Sequence, residues 1–324
     1  LLLPLSITRQ TFILVNVDGN EVTPVPTVTY DPVARVVTVI PGATSLDVGQ
    51  AYTLVIETPT SPTDVNGLRT IDGATLAAGR PSLVTFTAAP ASGTTQSPPI
   101  VDFCQDVAPV LTSASRCVAC HSAGLAFAGL RLDTALDIQN TALGQVAHGS
   151  NSGPTSRPEP PGLLFNEDVP LIDPGPGPAV GLGAITDASA PDGAPLPPAA
   201  AGDPAHSWLL YKVLMAFPPA CDVDPSAGYA PCDGGALPGD AGPSPTSIAG
   251  LYEVVCSDAG APCPQALAAD ERARLSNLVP GREMPYPPSP DAPLADNPQA
   301  LTLPELELLS LWIAQGAPMT PTCP

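Results

Sequence analysis

Residues 117–121 read Cys-Val-Ala-Cys-His. Two thiols two residues apart, with a histidine directly after the second, are spaced to attach a c-type haem. The thiols of Cys117 and Cys120 add across the haem vinyl groups, and His121 ligates the iron from one face. Iron carried in this way, its potential tuned by the protein, transfers electrons or catalyses a haem reaction. Half of a zinc site is one competing reading, but zinc needs more ligands, and no second Cys-x-x-Cys or His-x-x-x-His occurs. A redox-active disulfide is the other; it would sit in a βαβ pattern, which the flanks lack, and would leave the histidine unexplained.

Such an iron takes a second ligand on the face opposite His121, and five residues compete for that place: Met215, Met284, Met319, His148 and His206. Met215 falls in a helical apolar stripe and reads as core packing. Met319 lies close to Cys323, His148 flanks a long insertion, and His206 sits in the first turn of an expected helix. Met284 differs because it precedes Pro285 in Gly281-Arg282-Glu283-Met284-Pro285-Tyr286-Pro287-Pro288. A residue before proline is pushed out of the helical region. An extended, proline-stiffened strand can present a sulfur to iron, so Met284 is the expected ligand. His/Met ligation gives a higher potential than a bis-His site.

The elements that must position these residues sit in an unusual composition. Proline (45) and glycine (28) make up nearly a quarter of the 324 residues, just under the range of low-complexity chains. Charged residues are only 13%, yet the apolar share of 44% is ordinary, so a folded chain with long connections is expected. A net charge of −20 argues against nucleic acid and anionic membrane surfaces as partners. It favours basic partners or bound cations. No apolar run approaches transmembrane length. Leu1-Leu2-Leu3-Pro4-Leu5 lacks the charged start and cleavage site of a signal peptide, which suits a processed or trimmed form.

Eight cysteines are an even number, and six remain beside the haem pair: Cys104, Cys221, Cys232, Cys256, Cys263 and Cys323. Thioether attachment takes place outside the cytoplasm, and six further cysteines suit an oxidising compartment. The expectation is therefore an exported protein, at the cell surface, extracellular or periplasmic. The pairs Cys221–Cys232 and Cys256–Cys263 would each staple a short loop inside a Pro/Gly-rich insertion with little core of its own.

Residues 1–90 read as β. Short runs rich in Val, Ile, Thr and aromatics (11–15, 27–30, 35–40, 52–56 and 83–87) alternate with turn signals such as Asp18-Gly19-Asn20. That spacing predicts an all-β sandwich rather than a parallel sheet. Residues 91–100 have loop composition throughout and read as a linker. Residues 101–324 read as mainly helical. Phe103, Val107, Val110 and Leu111 form a stripe that Pro109 ends or bends. A shorter helix is expected over 134–138. Asp203-Pro204 supplies the start of a helix through Trp208, Leu209, Leu210, Val213, Leu214 and Phe217. Lys212, the chain's single lysine, lies on it and reads as a solvated or salt-bridged cation, with a haem propionate as the alternative. A helix over 266–275 follows, and the last opens with the capping-box pattern Thr302-x-x-Glu305. Residues 148–203 show little periodicity and read as a functional loop, a packed excursion or disorder. The loop 218–246 carries Asp222, Asp224, Asp233 and Asp240, where calcium is conceivable against a solvated acidic loop.

Two resemblances follow from these residues. Leu46-Asp47-Val48-Gly49-Gln50-Ala51-Tyr52, with Ser6-Ile7-Thr8 and the Ile71-Asp72-Gly73 loop, resembles the tyrosine corner and frame of bacterial Ig-like domains. Such domains begin with one strand more than is visible here, supplied by an upstream segment or by another chain. The latter would permit self-association through an open edge. Phe103-Cys104-x-x-Val107-x-Pro109-Val110-Leu111, then the haem motif, then Gly129-Leu130-Arg131-Leu132-Asp133, resembles a cytochrome c domain of exported bacterial proteins. In that family the first and last helices cross, which implies a Cys104–Cys323 disulfide, and the Met284-Pro285 pair resembles its axial loop. The resemblance implies a single-haem electron carrier with a redox protein or terminal acceptor as partner and no substrate chemistry of its own. A haem peroxidase and a haem-carrying surface or filament protein are the alternatives.

Overall fold

The computed structural model describes residues 1–42, 46–61, 67–76, 82–89, 99–113, 117–147, 169–175, 202–216, 267, 269–279, 284, 301–320 and 322–323. Among them are five strands in two small antiparallel sheets and five α-helices, a mixed architecture.

The strands are β1 (Phe12–Asn16), β2 (Thr27–Asp31), β3 (Val36–Ile40), β4 (Ala51–Ile56) and β5 (Leu83–Thr87). Each lies on one of the β-branched or aromatic runs, whose side chains pack well on a pleated surface. One sheet has the order β1-β4-β5, with Phe12 opposite Ile56 and Ala51 opposite Thr87; β2 and β3 form the other. After β1 the Asn16 side chain accepts from the backbone N–H groups of Asp18 and Asn20. Gly19 takes φ 79°, the left-handed conformation that this turn requires and that glycine adopts without steric cost. The Tyr52 hydroxyl accepts from the Asp47 N–H at 2.7 Å, tying the loop before β4 back to the strand. Leu14, Val22 and Tyr52 form a small buried cluster there, whereas β5 is exposed along its length.

The helical part opens with a π-helical turn, Phe103–Val107, which runs into α1 (Ala108–Leu111). Pro109 has no N–H to give the Gln105 carbonyl, and the chain widens before it: the Ala108 N–H reaches back to Phe103. Asp102 caps the turn by accepting from the Gln105 N–H. Next come α2 (Ala135–Thr141), capped by Thr134, then α3 (Trp208–Ala216), α4 (Ala269–Leu278) and α5 (Leu303–Ala314). Glu305 accepts from both the N–H and the hydroxyl of Thr302 at the start of α5. The first and last helical elements pack together: Phe103 and Trp312 have ring centroids 5.6 Å apart, and Cys104 and Cys323 form a disulfide with Cα atoms 5.2 Å apart.

One reading of the sequence is corrected. Asp203-Pro204 does not start α3. It starts a separate 3₁₀ turn, Pro204–His206, in which Asp203 accepts from the Ala205 N–H. Ser207 then turns extended, its hydroxyl donating to the Asp203 carbonyl and accepting from the Asp173 N–H. Those two bonds hold the chain out of helical conformation for one residue before Trp208.

The insertion contains a packed piece that periodicity did not reveal. Residues 169–175 lie against 143–147 through bridges Leu143–Ile172 and Val146–Pro170, and Val169 and Ile172 are buried. On the other side the Trp208 and Leu209 N–H groups donate to Pro170 and Leu171. Gly202 abuts the Ile313 carbonyl more closely than any Cβ would allow, which brings the chain onto the end of α5.

The main core gathers α1, α2, α3, α5 and the buried side of α4, and it also takes Leu1, Leu3, Val33 and Ile71 from the β part. Arg35 and Glu271 pair at 2.8 Å across the same junction. The β and helical parts therefore share one apolar core on either side of residues 91–98.

Candidate functional site

Cys117–Cys120 is one tight turn. The N–H groups of Cys120 and His121 both donate to the Cys117 carbonyl, at 3.2 and 2.9 Å. Residues three apart in such a turn share a face, and both thiols are half-buried and not joined to one another. The following segment folds back over the motif. Leu132 N–H donates to the His121 carbonyl at 2.7 Å, and Ala123 N–H to the Asp133 carboxylate at 2.6 Å. To make this return, Ala126, Ala128 and Gly129 all take left-handed backbone conformations, with φ of 34°, 56° and 77°.

His121 is thereby buried, 7% exposed, with its Nδ1 enclosed and lacking a hydrogen-bond partner. Burial pushes its pKa below the ordinary histidine range; the backbone of Phe127 and Leu130 opposes this more weakly. The neutral imidazole that results is the form that ligates metals.

His121 faces a cavity of about 280 Å³. It is lined by Leu130, Leu171, Trp208 and Lys212, and by the exposed Asn140, Gln145 and Val146. The volume lies just under the range of pockets that enclose drug-sized molecules. Met284 also lines it, although it is remote from His121 in the chain. The Met284 N–H donates to the Lys212 carbonyl at 3.1 Å, so this residue is carried on α3. An imidazole nitrogen and a thioether sulfur are both ligands that haem iron takes, and thiols at Cys-x-x-Cys spacing are what its vinyl groups need.

The other candidates for the second ligand lie elsewhere. Met215 and Met319 are buried in the main core and do not line the cavity. His206 Nδ1 lies 2.7 Å from the Asp203 carboxylate. His148 lies outside the described residues, as do Cys221, Cys232, Cys256, Cys263 and the four aspartates considered for calcium. Among the described residues, no three His, Cys, Asp or Glu side chains are grouped to hold a bare metal ion.

Leu171 escaped sequence reading, and Lys212 was read only in part. Leu171 belongs to the apolar run Val169-Pro170-Leu171-Ile172, a short signal inside a stretch otherwise without pattern. Of the two sequence readings of Lys212, solvated or salt-bridged, the solvated one is corrected: the residue is only 5% exposed. All of α3 except its last residue is buried, so no polar face was there to receive it.

No described helix is long and apolar enough to cross a membrane. Compared with family models, with curated proteins and with solved structures, the chain has no match.

Proposed function

We propose that this chain is a single-haem electron-transfer protein acting outside the cytoplasm. Cys117 and Cys120 would hold the haem covalently, and His121 and Met284 would ligate its iron from opposite faces. Bound there, the haem would supply one-electron chemistry. The observation that carries the reading is that His121, next to the paired thiols, and the distant Met284 line one cavity. His121 contributes a buried imidazole held neutral by its surroundings. Leu130, Leu171 and Trp208 supply apolar wall that excludes water, which tunes potential.

On this reading, residues 101–324 are a cytochrome c domain with long insertions, and 1–90 an Ig-like module. The Tyr52–Asp47 bond supports the latter. Its exposed β5, with Leu83, Val84 and Phe86 facing solvent, is the edge at which self-association would occur. A redox protein or terminal acceptor completes the electron path.

Acid–acetone extraction of protein made in a host that attaches haem tests the reading. Haem should stay with the polypeptide, and a Cys117→Ala, Cys120→Ala double variant should release it. Haem that partitions into the organic phase from the parent protein would overturn the proposal. Peroxide turnover by the parent would replace electron transfer with a peroxidase reading.

A further inference from the structure

We propose that residues 124–129 form a strap that closes over the group held in this cavity, with Leu125 and Phe127 as its apolar cover. The inference rests on the haem reading above. Three unfavourable features meet in or beside this strap, and one movement relieves them all. Leu125 and Phe127 are 57% and 56% exposed, two of the four large apolar side chains that face water in the described part of 101–324. Ala126 and Ala128 hold left-handed conformations that a β-carbon disfavours. Among the described residues, Arg35 and Ala317 are the other non-glycine residues with positive φ. Backbone held in such regions clusters at ligand clamps and switches. Lastly, the His121 Nδ1 is enclosed without a hydrogen-bond partner, although the backbone of Phe127 and Leu130 lies by the ring. An imidazole that ligates a metal through one nitrogen ordinarily donates its other N–H to a carbonyl, a carboxylate or water.

The strap is placed and hinged to act there. Ala128 and Gly129 are exposed and line the cavity beside His121 and Leu130. A porphyrin is larger than the molecules that a cavity of about 280 Å³ encloses, so part of it would stand outside, next to this strap. Glycine marks either end, and nothing lies within 4 Å of where a β-carbon would sit on Gly124 or Gly129. The flanks are tied down by Ala123 N–H on the Asp133 carboxylate and Leu132 N–H on the His121 carbonyl. Inside those ties the backbone hydrogen bonds run among residues 120–130, so the strap can move without unpairing a distant element. Folding inward would bury Leu125 and Phe127 on the porphyrin, release the two alanines and offer a strap carbonyl to Nδ1.

The full chain, made with haem attached and reduced to the ferrous form, is labelled at its leucine methyls and phenylalanine rings. Porphyrin ring current should carry the Leu125 and Phe127 resonances well away from their ordinary positions. Leu125→Ala and Phe127→Ala assign them.

The double variant reads what the cover does. Water reaching the haem favours the ferric state, whose iron carries the larger charge. At the parent's midpoint, the oxidised-to-reduced ratio of the double variant should be about tenfold higher, equivalent to about 59 mV for one electron. Phe127→Leu, which keeps an apolar cover, should stay close to the parent. A role confined to folding would lower the urea midpoint and leave the ratio unmoved. Leu125 and Phe127 resonances at ordinary positions in the haem-loaded chain, or a double variant with the parent's ratio, overturn closure and leave the haem reading standing. A parent chain that carries no haem overturns both.

Discussion

The Met284 N–H donates to the Lys212 carbonyl at 3.1 Å, so main chain rather than side chain docks Met284 on α3. Truncating the Met284 side chain leaves that bond intact. The thioether can therefore be removed without releasing the segment that carries it.

Met284→Ala should thus retain haem at Cys117 and Cys120 while losing the sulfur–iron absorption band. Its potential should fall, and its iron should bind cyanide or carbon monoxide. Absorption spectra of both oxidation states, with and without those ligands, check this. An unchanged spectrum would hand the axial role to another residue.

The Cys104–Cys323 bond joins the first helical element to the end of the chain across 219 residues. Cross-linking residues so far apart restricts the unfolded chain strongly. Replacing both cysteines with alanine should cost roughly 2–5 kcal/mol. Denaturant unfolding of parent and variant measures the difference, and peptide mapping without reduction identifies the bond. A mapped pairing of either cysteine with Cys221, Cys232, Cys256 or Cys263 would contradict it.

The strands were legible because β-branched runs between turn signals leave few alternatives, and the capping pattern at Thr302 and Glu305 marked the start of α5 for the same local reason. The Cys117–His121 turn stood out in the sequence because its residue types and spacing lie in five adjacent positions. The cavity did not, because its wall is assembled from segments far apart in sequence. Leu171 reaches it from an insertion whose only signal is four residues long. Asp203 looked like the cap of α3 because Asp-Pro is a general helix-start signal; the two Ser207 bonds that interrupt the helix are tertiary. Nor did composition reveal that Leu1, Leu3, Val33 and Ile71 would enter the helical core.

Trp312 is fully buried, packs on Phe103 at 5.6 Å and donates its indole N–H to the Pro318 carbonyl at 2.9 Å. Trp312→Ala should cost about 3–5 kcal/mol through lost packing and the cavity left behind. Trp312→Phe keeps most of the ring contact but leaves the Pro318 carbonyl without its donor, for about 1–3 kcal/mol. Urea unfolding of the three proteins gives the order, and a Trp312→Phe variant as stable as the parent would show that the hydrogen bond contributes nothing separate from ring packing.

Glu307 on α5 gives the protein a pH dependence of definite sign. Burial pushes its pKa from the usual carboxylate range up to about 7, and the Asp31 carboxylate adds to the shift. One of its carboxylate oxygens is enclosed without a hydrogen-bond partner, so the charged form is poorly solvated. The folded chain then holds a proton that the unfolded chain, with an ordinary glutamate near 4.3, has released. Between those two values the native state binds more protons, so stability falls as pH rises. The loss begins above about pH 4.3 and is complete once pH passes about 7. Glu307→Gln removes the titration while keeping size and shape, and it should flatten this part of the profile. The variant should gain on the parent as pH rises from 5 to 8. Urea midpoints of both proteins across that range isolate Glu307, because every other group titrates in each. A variant that loses ground to the parent with rising pH would mean that Glu307 is stabilised as the anion.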